Sequence, residues 1–235
     1  MREPPSVGPN AAEIVRAALA GSGVEAVACS TIEAYDARAP EDFRSVALFP
    51  GARGVVVAAS AGPLLWRRFL ERTRARPSSW DDPHPYDAFV AELLDRADVA
   101  LAAAGVRYLR FEAAFDAPVR VDFVALAELA GMGRRGPFGL LVHPAYGPWW
   151  ALRGAWLVDA EVTPAPRARP PCEGCDAPCV GGWEHAHSEV TAATPDVRAR
   201  CVVGQDWRYD EDQIAYHYAR AEAVQRLRIP AGRGR

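Results

Sequence analysis

The chain has 235 residues, of which 50% are hydrophobic and 24% are charged, and its formal net charge is -3. This length and apolar content are enough to bury a substantial core, which excludes a disordered chain or a minimal scaffold. All 27 basic residues are arginine, so no lysine can form a Schiff base, and the slightly acidic balance argues against general nucleic-acid binding.

The first residues and the apolar runs of the chain carry no targeting pattern. Residues 1–5 contain no apolar signal core, and the longest apolar runs are interrupted well short of a membrane span. Five cysteines without an export signal indicate reduced thiols. We therefore expect a cytoplasmic protein that does not insert into membranes.

The N-terminal part alternates helical and strand patterns. Asn10 is a predicted N-cap of a first helix, which ends before Gly21. Residues 24–29 and 54–60 are β-branched and alanine runs between turn residues, which predicts two strands. The connection at 34–50 is expected to be partly irregular.

A helix-rich stretch follows. Residues 63–74 predict a helix, which the proline-rich segment 77–83 ends. A longer helix has Pro85 in its first turn and stops at Gly105, and residues 106–111 predict the next strand.

A glycine-rich segment at 131–136 follows a predicted helix at 121–130 and precedes the apolar run 138–142. Its G-x-G-x-x-G spacing matches a dinucleotide fingerprint, but that fingerprint follows a strand and opens a helix. We therefore interpret it as a helix stop and tight turn, whose two adjacent arginines could still attract a ligand phosphate.

Composition changes abruptly after a predicted strand pair or long strand at 149–162. A proline- and arginine-rich segment is followed by a cysteine- and glycine-rich one, and a helical pattern resumes only at Asp210. We predict three regions: a core over 1–163, a metal-binding loop over 164–205 and a closing helical segment over 206–235.

Cys172, Cys175 and Cys179 place three soft ligands in one loop, and Cys201 can supply a fourth thiolate. The spacing resembles the last three cysteines of the bacterial ferredoxin run, without its first cysteine and without its final proline. We place a 4Fe-4S cluster ahead of structural zinc, with His185 and His187 as substitute ligands in either case. Disulfides or idle thiols are the remaining alternative, and Cys29 fits a buried small hydrophobe rather than a nucleophile.

Residues 142–158, VHPAYGPWWALRGAWLV, resemble a stretch of the CblC family of cobalamin-processing proteins. A second similar segment is Asp206-Trp207 with residues 208–216, and a third is 225–227. The three segments have the same order as in the family, and weaker similarity reaches back through residues 54–60.

The resemblance implies an α+β, nitroreductase-like fold with a mixed or antiparallel sheet flanked by helices, forming a cobalamin-binding core. It implies a reductase that binds cobalamin with the lower base displaced and removes the upper ligand, by reductive decyanation or by alkyl transfer to glutathione. Arg153 and Arg226 match arginines associated with the glutathione carboxylates, and Arg208 is a third candidate. The cobalamin-binding residues it implies are His143, Pro144, Tyr146, Gly147 and Trp149.

No side chain is assigned as catalyst, because the cobalt of the corrinoid is expected to carry the chemistry. In its cysteine loop and short glycine turn, the chain more closely resembles epoxyqueuosine reductase, a related cobalamin enzyme with iron-sulfur clusters. We therefore predict a bacterial CblC-type protein with one added metal site, whose cluster could relay electrons from a reductase. Alternatives are a corrinoid chaperone without turnover and an epoxide-reducing enzyme acting on tRNA. The sequence leaves flavin binding and homodimer formation open.

Overall fold

The computed structural model describes residues 10–113, 121–166, 169, 171–179, 194–218 and 227. Short 3-10 turns lie at Glu41–Phe43, Pro77–Asp81 and Gln205–Trp207. The helices and strands, in chain order, are α1 (Ala11–Ala18), β1 (Ala26–Thr31), α2 (Ile32–Asp36), α3 (Ser45–Leu48), β2 (Gly54–Ala61), α4 (Leu64–Ala75), α5 (Pro85–Ala103), β3 (Tyr108–Glu112), α6 (Phe123–Leu129), β4 (Arg134–Arg135), β5 (Leu141–Val142), β6 (Trp150–Val158), α7 (Thr194–Arg200) and α8 (Glu211–Tyr218).

The chain divides into two compact units. Unit 1 takes the described residues within Met1–Ser60, Val90–Met132 and Leu152–Ala168, and unit 2 takes those within Ala61–Phe89, Gly133–Ala151 and Arg169–Arg235.

A four-stranded sheet has the strand order β1-β2-β6-β3. β1 pairs antiparallel with β2, with Ala26 opposite Ala59, and β3 pairs antiparallel with β6, with Tyr108 opposite Val158. β2 lies inside the sheet and is buried along almost its whole length, which explains its continuous run of valine and alanine. The predicted α+β fold, with an antiparallel sheet flanked by helices, is confirmed.

α1 begins as its sequence predicts. Asn10 has an extended backbone and its side-chain oxygen accepts a hydrogen bond from the Ala12 amide at 3.1 Å. This bond satisfies one of the amides that the first turn of a helix leaves unpaired.

We expect Asn10→Ala to lower the free energy of unfolding by about 1 kcal/mol, because the capping oxygen is lost. Urea denaturation of the purified protein measures this change. Asn10→Asp keeps an acceptor at the same place and should unfold at the wild-type midpoint. If the alanine and aspartate variants are equally stable, the side chain of Asn10 does not cap α1.

The structure adds detail to two predicted segments. The stretch 34–50, expected to be partly irregular, contains the end of α2, a 3-10 turn and all of α3. Ser45 starts α3 with its amide and hydroxyl both donating to the Asp36 carboxylate, at 2.7 Å and 2.5 Å. This side-chain contact, which has no periodic signature, orders the stretch. Of the two alternatives for 149–162, a strand pair or one long strand, the structure has the long strand, β6.

The glycine-rich segment follows the end of α6, as predicted, and then enters a hairpin. β4 pairs antiparallel with β5, with Arg134 opposite Val142. A Cβ at Gly133 would lie 2.8 Å from the Val142 carbonyl oxygen, so glycine is needed for the close approach of the two strands. The segment follows a helix and precedes a strand, so it lacks the strand–turn–helix context of the dinucleotide fingerprint.

An aromatic cluster forms the core of unit 2. The Trp66 ring lies 5.0 Å from that of Tyr216 and 5.4 Å from that of Phe69, and Tyr86 meets Phe69 edge-on at 5.2 Å. These contacts pack α4, the start of α5 and α8 against one another through their buried aromatic side chains. In the part of the chain that the structure describes, no helix combines the length and apolar character needed to cross a membrane.

Candidate functional site

His143 and Gly147 close a tight turn in unit 2. The His143 amide donates to the Gly147 carbonyl at 2.8 Å, and the Gly147 amide donates back at 2.9 Å. Inside the turn, the His143 Nδ1 accepts from the amides of Ala145 at 3.0 Å and Tyr146 at 3.3 Å. Nδ1 is therefore the acceptor, and the proton of the neutral ring lies on Nε2. The structure thus places His143 in the turn that its proline and glycine neighbours predicted.

Burial lowers the pKa of His143 from 6.5 to about 4. Desolvation disfavours the imidazolium, and the two amides that donate to Nδ1 also require an unprotonated nitrogen. At neutral pH the ring is uncharged, so it presents an apolar face and a single N–H donor.

This pKa predicts an acid-side loss of stability. The unfolded state takes up a proton near pH 6.5 whereas the folded ring stays neutral to about pH 4, so stability is intact above pH 6.5 and falls between these values. Because the ring is partly reached by solvent, we expect a contribution of about 1 kcal/mol. Urea denaturation at pH 7 and pH 4.5 should show a smaller acid-side loss for His143→Asn, which keeps an acceptor but does not titrate. Equal losses in both proteins would exclude His143 as the source.

An exposed aromatic surface is built on this turn. The Tyr146 ring stacks on His143, with centroids 4.1 Å apart and planes 20° apart. Trp207 meets Tyr146 edge-on at 4.7 Å and leaves 39% of its surface exposed. We call His143, Tyr146 and Trp207 the aromatic platform; all three belong to unit 2.

Two glycines bring the turn against the segment before Trp207. A Cβ at Gly147 would overlap the Val203 carbonyl oxygen, and a Cβ at Gly204 would overlap the Tyr146 carbonyl group. Both glycines have positive φ, 58° and 75°. The platform therefore exists only because neither position carries a side chain.

Trp149 is fully buried, and its amide donates to the Tyr146 carbonyl at 3.1 Å. The Arg208 guanidinium lies over its ring at 5.8 Å, and Tyr209 meets it edge-on at 5.5 Å. Trp149 Nε1 is buried without a hydrogen-bond partner among the described residues. In this structure Trp149 packs inside unit 2, while Arg208 covers it and remains exposed to solvent.

The arginines predicted to hold carboxylates have different settings. Arg153 lies in β6 within unit 1, is only 8% exposed, and donates from Nε to the Ser60 hydroxyl at 2.9 Å. Arg208 is exposed in unit 2. Arg226 lies outside the described residues, as do His185 and His187.

The four cysteines of the predicted metal site line one small pocket of about 10 Å³ in unit 2. Burial raises the pKa of the Cys172 thiol, and the charges of Cys201, Cys179 and Cys175 raise it further. Burial likewise raises the pKa of Cys201. Neighbouring thiolates repel one another, so each raises the pKa of the next thiol. A bound cation would offset this repulsion and favour the thiolate forms.

The described side chains of histidine, cysteine, aspartate and glutamate form no group of three or more placed to hold a metal ion. The thiols share a pocket, but metal binding would require their side chains to turn towards a common point. Cys29 is buried in unit 1, where its thiol donates to the Thr163 carbonyl at 3.3 Å, which fits the small buried hydrophobe that the sequence predicted.

A larger cavity, of about 320 Å³, lies within unit 1. Its walls come from α2, the 3-10 turn after it and α6, and they are mainly apolar, although Arg38 and Asp122 also line the cavity. This volume is at the lower limit of ligand pockets.

Sequence reasoning missed two features of the platform. Trp207 is the exposed ring, although its sequence context predicts no binding role for it, whereas Trp149 is predicted at the ligand and is buried. The sequence carries one signal for the contact between the turn and the segment before Trp207, Gly204, because an isolated glycine is typical of a turn or a close backbone approach.

No known family profile matches the chain, and no curated protein matches it by sequence. Solved structures match its fold. A B12-trafficking protein CblC from C. elegans, a homologue of human MMACHC, aligns with a TM-score of 0.64 at 15% identity, over 96% of this chain and 97% of that one. A selenomethionine-labelled epoxyqueuosine reductase aligns at 0.58 and 14% identity, over 92% and 79%. The epoxyqueuosine reductase of Bacillus subtilis aligns at 0.55 and 15% identity, over 92% and 79%. At these identities the chain shares their fold.

Proposed function

We propose that this protein binds cobalamin and acts as a reductase that removes its upper axial ligand, by reductive decyanation or by glutathione-dependent dealkylation. The observation that carries the proposal is the fold correspondence with a B12-trafficking CblC protein, which spans almost the whole of both chains. We also propose that the fold is nitroreductase-like. Cobalamin is the substrate, and its cobalt supplies the redox chemistry.

The aromatic platform supports binding of a large planar ring. Tyr146 and Trp207 offer aromatic surface, and the neutral His143 beneath them adds no charge that would need hydration. Stacking on aromatic faces contributes binding free energy without demanding hydrogen bonds from the ring. We propose that His143, Pro144, Tyr146 and Gly147 form the binding turn, with Trp207 beside it and Trp149 as its buried support.

Arginines are proposed to hold the carboxylates of glutathione and so to position its thiol. Arg208 is exposed and is held over Trp149. We therefore propose Arg208 as the first contact for an incoming anion. Arg153 is buried beside Ser60 in unit 1. It would therefore contact a glutathione carboxylate only if the substrate enters unit 1. The same role for Arg226 is proposed from the resemblance alone.

The cysteine pocket is proposed as a metal site. Four thiols are the donor set that zinc and iron-sulfur centres use, so the chemistry of the donors fits, although the side chains must turn to converge. Cys172, Cys175, Cys179 and Cys201 would hold the group. An iron-sulfur centre there supplies one-electron transfer, whereas zinc would only fasten the loop.

A second candidate function is epoxyqueuosine reduction on tRNA. It is favoured by the match to epoxyqueuosine reductases, including one solved with an epoxyqueuosine-modified tRNA stem loop, at a TM-score of 0.50 and 20% identity over 73% of this chain. The net charge of -3 disfavours it. Retention of a tRNA stem loop on the protein at physiological salt would favour this candidate.

The proposal is tested with purified protein, cyanocobalamin and a chemical reductant under anaerobic conditions. We expect release of cyanide together with the spectrum of reduced cobalamin, faster than in a control without protein. A shift to the base-off spectrum without cyanide release would indicate a corrinoid chaperone instead. Repeating the assay with glutathione and methylcobalamin tests the dealkylation branch, whose expected product is the methyl thioether of glutathione.

A further inference from the structure

The segment 201–207 runs from the cysteine pocket directly to the aromatic platform. Cys201 lines the pocket at one end, and Trp207 forms the exposed ring of the platform at the other. Both ends lie in unit 2, and only five residues separate them. A change at the thiols therefore has a short covalent route to the platform.

Val203 makes contacts in both directions. It lines the cysteine pocket and packs against the buried cluster that contains Cys201, while its carbonyl oxygen lies where a Cβ of Gly147 would be. One residue thus touches the pocket through one contact and the binding turn through another. Because there is no space between Val203 and Gly147, a displacement of Val203 must move the turn or be resisted by it.

Gln205 fixes the shape of this segment. Its side-chain amide donates to the Cys201 carbonyl, and to the Ala199 carbonyl at 3.1 Å. These carbonyls lie at the end of α7, where a helix leaves its last acceptors unpaired. The 3-10 turn that carries Trp207 starts at the same residue, and the Trp207 amide donates to the Gly204 carbonyl at 2.9 Å.

We propose that Gln205 is a positioning residue that ties the cysteine pocket to the aromatic platform, so that metal binding at the thiols and corrinoid binding at the platform are coupled. The corrinoid part rests on the proposed function. A metal ion on Cys201 restricts segment 201–207 and holds Trp207 in place, so the loaded protein loses less conformational freedom when the corrinoid binds. The coupling is therefore positive, and by linkage it is reciprocal.

The test uses Cd²⁺ as the metal and hydroxocobalamin as the corrinoid, with the full chain kept reduced. Cd²⁺ binding is followed by its ultraviolet thiolate band and hydroxocobalamin binding by its visible spectrum. We expect hydroxocobalamin to bind at least about fivefold tighter to the Cd²⁺-loaded protein, and Cd²⁺ affinity to rise by the same factor when hydroxocobalamin is bound.

Variants locate the coupling. Gln205→Ala should bring the ratio of the two hydroxocobalamin affinities close to one, and so should Gln205→Glu, which keeps the shape but loses the donors. Asp206→Asn changes an exposed side chain of the same segment that does not line the cysteine pocket, and it should keep the wild-type ratio. The glutamate variant preserves the test if the alanine variant fails to fold.

The outcomes separate the two ideas. A wild-type ratio within twofold of one, or an unchanged ratio in both Gln205 variants, overturns the coupling. Absence of a Cd²⁺-thiolate band also overturns it, while a hydroxocobalamin shift in the metal-free protein leaves the proposed function standing. Absence of any hydroxocobalamin shift in either state overturns the proposed function and the coupling together.

Discussion

Gly147→Ala is expected to destabilise the protein by about 3 kcal/mol and to abolish corrinoid binding. The added Cβ would overlap the Val203 carbonyl oxygen, and the positive φ of 58° adds backbone strain. Neither the turn nor segment 201–207 can give way without separating Tyr146 from Trp207. Urea denaturation measures the first effect, and titration with hydroxocobalamin measures the second.

Gly139→Ala is the matched control for Gly147→Ala. Gly139 also lies in unit 2 with a positive φ of 83°, but nothing lies within 4 Å of its Cβ position. Only backbone strain should remain, at about 1 kcal/mol, and corrinoid binding should be retained. If the two variants are equally stable, the contact between Gly147 and Val203 does not hold the platform together.

Trp207→Ala is expected to weaken hydroxocobalamin binding by tenfold to about a hundredfold, the range for losing one aromatic stacking partner. The ring is 39% exposed and contacts the platform through its edge, so the fold should lose less than about 1.5 kcal/mol. Trp207→Phe keeps an aromatic face and should bind with an intermediate affinity. Spectral titrations of the three proteins measure the series.

Leu64→Ala controls for a general loss of exposed apolar surface in unit 2. Leu64 has the same exposed fraction as Trp207, 39%, but no aromatic ring. Its removal should leave hydroxocobalamin affinity within twofold of the wild type. Equal losses of affinity in the leucine and tryptophan variants would mean that the aromatic platform is not the binding surface.

The regular elements of the fold could be predicted from local patterns. Asn10, Pro85 and the glycines that follow each helix define α1 and α5, because caps and stops act within a few residues. β2 was recognisable from its unbroken apolar run. The short helices of 34–50 were not, because α3 depends on the contact between Ser45 and Asp36, nine residues apart.

The grouping of the cysteines could be predicted from the sequence, whereas the burial of the aromatic candidates could not. The spacing of the cysteines indicated one loop and a returning fourth thiol, and all four line one pocket. The burial of the two tryptophans could not be predicted from their sequence positions. Trp149 and Trp207 are both next to turn residues, yet one is fully buried and the other is exposed. Which ring faces solvent depends on how segment 201–207 crosses Gly147, and that crossing joins residues more than fifty positions apart.

The claim that this protein binds cobalamin is tested most directly by the visible spectrum of hydroxocobalamin during titration with the purified, reduced protein. We predict a saturable shift of the absorption maximum to shorter wavelength, as the lower base leaves the cobalt, with a stoichiometry of one corrinoid per chain. Gly147→Ala should not produce the shift, and Gly139→Ala should. A spectrum that stays that of free hydroxocobalamin at a protein excess would contradict the account.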